Sequence, residues 1–413
     1  MPAGTRHRVH LPGSSKTGDS VITLPTHPRL SDRFTVIEIS PDECRLVSPV
    51  SSLQVRSKSA NLLSRLVPLL DGSHSTSEII TLLEPFTASQ VHATLRHLHQ
   101  AGVIETPEHP VPGSIEERDA STFQDQIAFF ANFAAPAIDQ QWLRQDIPQS
   151  GMAYQKLLRE ASVMILGLGR YGSLLARSLV QAGVGHIGAI DSNVVSARDL
   201  VSPGWYPGAS TGVPRTDAIG TAIANEAPGT TFSTPATTPE TPEQYATVFR
   251  DFDVVVVCAD HHDPGLYDLA NTACLAANTP WTSLRVAEFE VEIGPTILPH
   301  ETPCFACLEA RRVSNVTDYE DYLLMDQHHR QAAVTPRTLA LAPGVDLLAL
   351  EVVKLITKFV QPATLGHLFT CNLLTLESAL HPVLKIPRCP ACGTPSWHRP
   401  PMQLWQQFKE WEA

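Results

Sequence analysis

Positive charge is scarce in this chain. Its 413 residues carry 30 Lys and Arg against 42 Asp and Glu, a formal net charge of -12. Nonspecific nucleic-acid binding needs a basic face and is therefore not expected. Long apolar runs are also missing. None approaches the ~20 residues that span a bilayer, so no transmembrane helix is predicted. The opening stretch Met1-Pro2-Ala3-Gly4-Thr5-Arg6-His7 has no apolar h-region, and secretion is not expected. Cysteine is sparse, at eight residues. Cys44, Cys258, Cys274 and Cys371 are scattered among apolar residues, where core packing is the plain reading. The other four form two short pairs. This usage reads as a reduced, cytosolic zinc protein and not a disulfide scaffold. There is no internal repeat.

The pairs are Cys304-Phe305-Ala306-Cys307 and Cys389-Pro390-Ala391-Cys392. Each places two thiolates on one tight turn, which suits Pro390 and Gly393, and four thiolates fit one tetrahedral zinc ion. With 81 residues between the pairs, the metal would join distant segments. It would be a closed structural clasp with no open coordination site.

Upstream lies Gly167-Leu168-Gly169-Arg170-Tyr171-Gly172, between an apolar strand (163–166) and a helix (172–182). Backbone N–H groups at such a turn, with the helix dipole, can hold a pyrophosphate. Asp191 ends the next strand (186–190), near the spacing of an acid that binds a ribose hydroxyl. The alternative is a close-packed turn without a ligand. Asp260 follows the continuous apolar strand 254–258, at the carboxyl edge of a parallel sheet. It reads either as a Mg²⁺ ligand beside a triphosphate or as a helix N-cap before Pro264. His261 and His262 read as solvated loop residues.

Along the chain, residues 1–25 read as a disordered tail. Residues 26–107 form a small module of three strands (34–39, 44–47, 51–56) and three helices. The first helix is 60–70, and capping boxes at Ser75 and Thr87 open the next two. Val103-Ile104 adds a last strand. Residues 108–153 are a Pro/Glu-rich linker and a helix over 123–143. Residues 154–413 alternate strands and helices. In that region 286–297 reads as paired strands, the polar stretch 309–337 as a mobile crossover loop, 345–360 as an apolar helix, and 369–376 and 379–386 as terminal strands with Cys371 in the core.

Residues 154–393 resemble the ThiF/MoeB superfamily of adenylating enzymes. The resemblance rests on the glycine turn, Asp191, Asp260, both Cys pairs and the apolar helix between them. It implies an α/β, Rossmann-like fold with a structural zinc, and chemistry that activates a carboxylate with ATP. The sequence departs from the family pattern at the phosphate grip. Asp191-Ser192-Asn193 stands for a D-x-D pair. Asp199 and Ser202 stand where the family has Asn and Arg, so Asp199 would add negative charge near the phosphates. Arg198 is one turn from the missing Arg. Arg215 stands for a Lys, and Asp260-His261 for an Asp-Asn pair. The resemblance thus implies a vestigial nucleotide site of Gly167, Gly169, Gly172, Asp191, Arg198, Arg215 and Asp260, with ATP and Mg²⁺ left open and no catalytic residue assigned.

The N-terminal module resembles the PqqD-like, winged helix-turn-helix leader-recognition element. A DNA-reading winged helix is its alternative. The combination is similar to the ocin-ThiF-like partner proteins of YcaO cyclodehydratases in thiopeptide biosynthesis. That implies a precursor leader peptide added as a strand to a sheet edge. Leu53, Val55, Arg56, Val91, Leu95 and Arg96 would line the groove, and Cys304, Cys307, Cys389 and Cys392 would hold the zinc. The partners implied are the leader peptide, the YcaO enzyme and a homodimeric second copy. The rival expectation is an ATP-dependent adenylating enzyme acting on a peptide or carrier-protein carboxylate.

Overall fold

In the computed structural model the described residues are 24–31, 33–48, 52–57, 59–105, 117–133, 148, 150–201, 204–260, 263–287, 289–331 and 342–393. The expected tail (except residues 24 and 25), linker residues 106–116, the helix end 134–143, Ser202, His261 and His262 lie outside them. No helix among the described residues is long and apolar enough to cross a membrane. The chain divides into two compact units, residues 1–156 and 157–413.

The first unit opens with β1 (Arg29–Leu30), β2 (Thr35–Ser40), β3 (Glu43–Val47) and β4 (Ser52–Arg56). β2, β3 and β4 form an antiparallel sheet in that order, which leaves β4 at an edge. α1 (Leu62–Leu66) is shorter than the expected 60–70 helix. Val67–Leu69 tightens into a 3-10 turn at Pro68, whose ring cannot continue an α-helix. α2 (Thr76–Leu82) and α3 (Ala88–Gln100) both start at the expected capping boxes. β5 (Ile104–Glu105) pairs with β1 and not with the three-stranded sheet. Leu46, Leu62, Leu66, Ile79, Val91, Leu95 and Ile104 form one buried cluster. Each such side chain contributes roughly 1.5–3 kcal/mol by leaving water. α4 (Glu117–Thr122), α5 (Gln124–Ala131) and α6 (Gly151–Glu160) follow, and the unit boundary falls within α6.

The second unit is built on an eight-stranded sheet. Its elements run β6 (Ser162–Leu166), α7 (Arg170–Gln181), β7 (His186–Ile190), α8 (Ala197–Val201), α9 (Arg215–Glu226), β8 (Thr231–Ser233), α10 (Pro242–Phe249) and β9 (Val254–Val257). They continue with α11 (Pro264–Ala277), β10 (Trp281–Ala287), β11 (Glu290–Ile293), α12 (Phe305–Ser314), α13 (Tyr319–Gln331), α14 (Val345–Thr357), β12 (His367–Asn372) and β13 (Ser378–Pro382). The strand order is β13-β12-β11-β10-β9-β6-β7-β8. From β10 to β8 the pairing is parallel, and from β10 to β13 it is antiparallel. Val254–Val257 is buried at every position, as a strand covered on both faces must be. β6 has β7 on one side and β9 on the other, so the order reverses there. In open α/β sheets that switch point, at the strands' carboxyl ends, is where ligands bind.

Three expectations are corrected. The paired strands begin at Trp281, because β10 is both the last parallel strand and half of a hairpin. The polar stretch is helical over most of its length. α12 runs to Ser314 and α13 covers Tyr319–Gln331, where Asp318 caps the N–H groups of Glu320 and Asp321. Cys371 is half-buried on β12 and not in the core, because that strand lies toward the open end of the sheet.

Candidate functional site

The glycine turn joins β6 to α7 at the switch point. Gly167 has φ +90°, which L side chains rarely adopt. At Gly172 a Cβ would lie 1.8 Å from the Gly167 carbonyl oxygen, so only glycine lets the helix start this close to the strand. Asp191 closes the turn. One carboxylate oxygen accepts from Leu168 N at 2.7 Å, and the other accepts from Asn193 N at 2.7 Å. The Tyr206 hydroxyl donates to the Leu168 carbonyl, and burial holds its pKa above the usual phenol range.

Asp260 reaches across from the end of β9. It accepts from Arg170 N at 2.8 Å and Tyr171 N at 3.3 Å, the first N–H groups of α7. A Cβ on Gly169 would lie 2.3 Å from its carboxylate. The side chain therefore satisfies N–H groups at the start of α7 that an anion could use. The cap of α11 is Asp263, which accepts from Gly265 N and Leu266 N.

Arg215, at the start of α9, is committed to acids. Nη1 lies 3.3 Å from Asp191, and Nη2 lies 2.9 and 3.1 Å from the two oxygens of Asp199. Asp199 also accepts from Ser196 N and Oγ, each at 2.8 Å. Burial alone would raise Asp199, but the Ser196 bonds and Arg215 outweigh it and hold the carboxyl below its ordinary value. Burial likewise opposes the Arg215 charge, and Asp191 and Asp199 outweigh it. Asp199, expected to add negative charge near the phosphates, is paired with Arg215. Arg198 on α8 is exposed.

Arg215→Met would leave two nearly buried carboxylates without a counter-charge. The expected loss is about 3 kcal/mol, read as a lower urea midpoint at pH 7. The depressed Asp199 stabilises the fold above its ordinary 3.8, and that contribution is lost as pH falls below it through the folded value. Acid titration of the midpoint should therefore be shallower in the variant.

Asp191, Arg215, Asp260 and the three glycines, grouped in the sequence analysis by the family resemblance, lie together at the end of the β6–α7 turn. The six residues expected to line a peptide groove do not act as one set. Val91 and Leu95 are fully buried. Their four-residue spacing turns both toward the core, so they are not groove residues. Leu53 and Val55 on β4 are half-buried against that core. Arg56 donates Nε to Glu43 at 3.0 Å. Arg96 on α3 is exposed.

The four paired cysteines converge. Their sulfurs all lie within 4.8 Å of one another, with Cys304–Cys389 and Cys307–Cys392 at 3.6 Å and Cys304–Cys307 at 3.9 Å. A tetrahedral zinc with ~2.3 Å Zn–S bonds requires sulfurs ~3.8 Å apart, so the donor set and spacing suit that ion. Asn271 on α11 accepts from Phe305 N at 3.0 Å and fixes the first knuckle. Ile386 N approaches Cys307 Sγ at 3.4 Å. A half-buried charged network that the sequence analysis did not single out, Arg285, Glu292, Arg312 and Glu309, lies beside β10 and β11. Its signal was present in part, as Arg285 stands between the apolar Leu284 and Val286, and Glu292 between Val291 and Ile293.

Residues 140–394 match the ThiF family. Over 266 residues the chain is 30% identical to the vegetative protein HesA of Trichormus variabilis, covering 62% of this chain and 91% of that protein. It is 24% identical over 241 residues to the molybdopterin-synthase adenylyltransferase of Escherichia coli, covering 58% and 90%. Among solved structures, E. coli MccB with ATP superposes with TM-score 0.60 at 18% identity, over 89% of this chain and 99% of MccB. MccB has also been solved in complex with N-formylated MccA. PaaA superposes with TM-score 0.65 at 16% identity, over 86% and 100%. These superpositions cover more than the second unit alone can supply, so the likeness of fold extends into the first.

Proposed function

The chain belongs to the ThiF family, and from that premise we propose that it binds the leader of a ribosomally made precursor peptide and delivers it to a separate YcaO-type cyclodehydratase that forms azolines. The observation that carries this reading is the self-filled phosphate site. Asp260 takes the N–H groups at the start of α7, and Arg215 is spent on Asp191 and Asp199. A triphosphate would have to displace one carboxylate and compete for the other cation. The first unit supports the peptide half of the reading. β4 is a sheet edge in the same module as the exposed Arg96 on α3, and an extended peptide can add to such an edge through main-chain hydrogen bonds. The N-terminal module serves as a PqqD-like winged helix-turn-helix in this reading. The cysteine cluster holds a structural zinc, and the partners are the leader and the cyclodehydratase.

A second reading is ATP-dependent adenylation of a peptide or carrier-protein carboxylate. It is favoured by the convergence of the glycine turn, Asp191, Arg215 and Asp260, and by the likeness to the molybdopterin-synthase adenylyltransferase. In that case Asp260 would hold Mg²⁺, which would offset phosphate charge.

The two readings separate in one experiment. With the full chain, ATP, Mg²⁺ and a leader-bearing peptide, pyrophosphate exchange is expected to stay at background. Asp260→Ala is expected to leave peptide affinity within about twofold, because the leader site does not use it. Robust exchange that Asp260→Ala lowers by on the order of 10²-fold would establish adenylation instead.

A further inference from the structure

The eight-stranded sheet ends at β13. Among the described residues no strand pairs with its outer side, and all five of its residues are exposed. Such an edge offers free N–H and C=O groups to any strand that meets it. Folded proteins usually guard it with charge, above all Lys, with proline or with a bulge. β13 reads Ser378-Ala379-Leu380-His381-Pro382, without Lys, Arg, Asp or Glu, and its register to β12 is unbroken. Its one guard is Pro382.

Register tells which backbone groups are free. Val383 N donates to the Gly366 carbonyl, and Asn372 N donates to the Glu377 carbonyl. Hydrogen-bonded positions alternate along an antiparallel pair. Glu377, Ala379, His381 and Val383 therefore turn their backbone groups inward to β12, and Ser378, Leu380 and Pro382 turn theirs outward. The free donors of the edge are Ser378 N–H and Leu380 N–H, since proline has none.

A second β13, run antiparallel about a twofold axis at Leu380, satisfies both donors. Leu380 N–H meets the partner's Leu380 carbonyl, and Ser378 N–H meets the partner's Pro382 carbonyl. Proline is then used only as an acceptor. Of the registers that satisfy both donors, this one also brings leucine to leucine. Leu380 faces its own copy, and Leu376 comes opposite the partner's Leu384. These side chains are 45%, 75% and 61% exposed in the single chain. Half-buried Phe369, opposite Leu380 on β12, continues the same face inward. On the other face Glu377 lies one diagonal step from the partner's Lys385, within reach of long side chains of opposite charge. Lys385 spends one N–H on the His300 carbonyl and keeps two more.

Leu376 gives an independent sign. Its φ is +60°, the left-handed region that glycine or asparagine enters with less strain. A strained backbone that holds an apolar side chain out in water is explained by a surface that covers it.

We propose that β13 is a self-association edge, to which a second copy of this chain adds as an antiparallel strand about a twofold axis at Leu380. The pairing uses no residue of the leader or nucleotide sites described above, so it stands or falls apart from both readings.

The test is sedimentation velocity of the full chain over a concentration series. The wild type is expected to reach twice the mass of Leu380→Lys, which sets two like charges face to face at the axis and weakens association about tenfold or more. Leu376→Gly relieves the strained turn and removes an apolar contact. It is expected to keep the unfolding midpoint and to weaken association about fivefold. Leu380→Cys in a Cys371→Ser background is expected to cross-link into covalent dimers under mild oxidation, because the axis sets the two sulfurs opposite each other. A wild type that stays a monomer, as it would if the edge served an extended segment of another protein, would overturn the pairing. So would a mass that Leu380→Lys leaves unchanged, or a Leu380→Cys chain that does not cross-link.

Discussion

Cys307→Ser is expected to release the metal and lower the thermal midpoint of unfolding by about 10 °C. The cluster ties a knuckle on α12 to one beyond β13, with 81 residues between Cys307 and Cys389. Cross-linking a loop of that length removes about 4 kcal/mol of chain entropy from the unfolded state, and for a domain of this size each kcal/mol shifts the midpoint by about 2–4 °C. The four cysteines are buried within the large apolar cluster of the second unit, beside Trp281, Phe305 and Leu308. Loss of the ion therefore leaves thiols crowded at 3.6–3.9 Å in the middle of a core. The measurements are metal content per chain by atomic emission and the unfolding midpoint by calorimetry. One zinc per wild-type chain and none in the variant is the expected result. A wild-type chain without metal, or a variant with an unchanged midpoint, would refute the clasp. A chelator should reproduce the shift, and added zinc should reverse it in the wild type only.

Azoline formation by a purified YcaO-type enzyme on a leader-bearing peptide is expected to rise about 10²-fold when this chain is added. The gain comes from turning a bimolecular encounter into a local one, since tethering raises effective concentration into the mM range. It should vanish when the leader is cut from the peptide, because nothing then links the peptide to the carrier. Within the first unit, Gln54→Pro removes an N–H from the β4 edge, and Arg96→Glu reverses an exposed charge on α3. Each is expected to weaken leader binding about tenfold by fluorescence anisotropy and to reduce the gain in parallel. An undiminished gain on leaderless peptide would exclude delivery through a leader.

Several parts of this molecule were legible without coordinates because their signals are local. The capping boxes at Ser75 and Thr87 start α2 and α3, since a hydroxyl and a glutamate or glutamine three residues apart satisfy end groups regardless of what surrounds them. The glycine turn and Val254–Val257 announced a parallel sheet because a close approach and a strand buried on both faces demand those residue types. The matched Cys pairs announced a four-thiol cluster that could hold a metal, because tight turns with two thiolates have few other uses.

Other features depended on partners far away in sequence. Asp260 could be read as a metal ligand or as the cap of the next helix, and it caps α7, 90 residues upstream. Asp199 looked like a stray negative charge until Arg215 was seen to neutralise it. Val91 and Leu95 have the spacing of a groove as much as of a core, and only the packing of Leu62, Ile79 and Ile104 around them decides between the two. The cross-strand pairing of Arg285 with Glu292 depends on hairpin register, which spacing alone leaves open. Backbone chemistry and short-range spacing were thus determined by the sequence by itself. Which charge meets which, and whether a donor is already satisfied, was decided by tertiary structure, because Coulomb energy and hydrogen-bond geometry act across space and not along the chain.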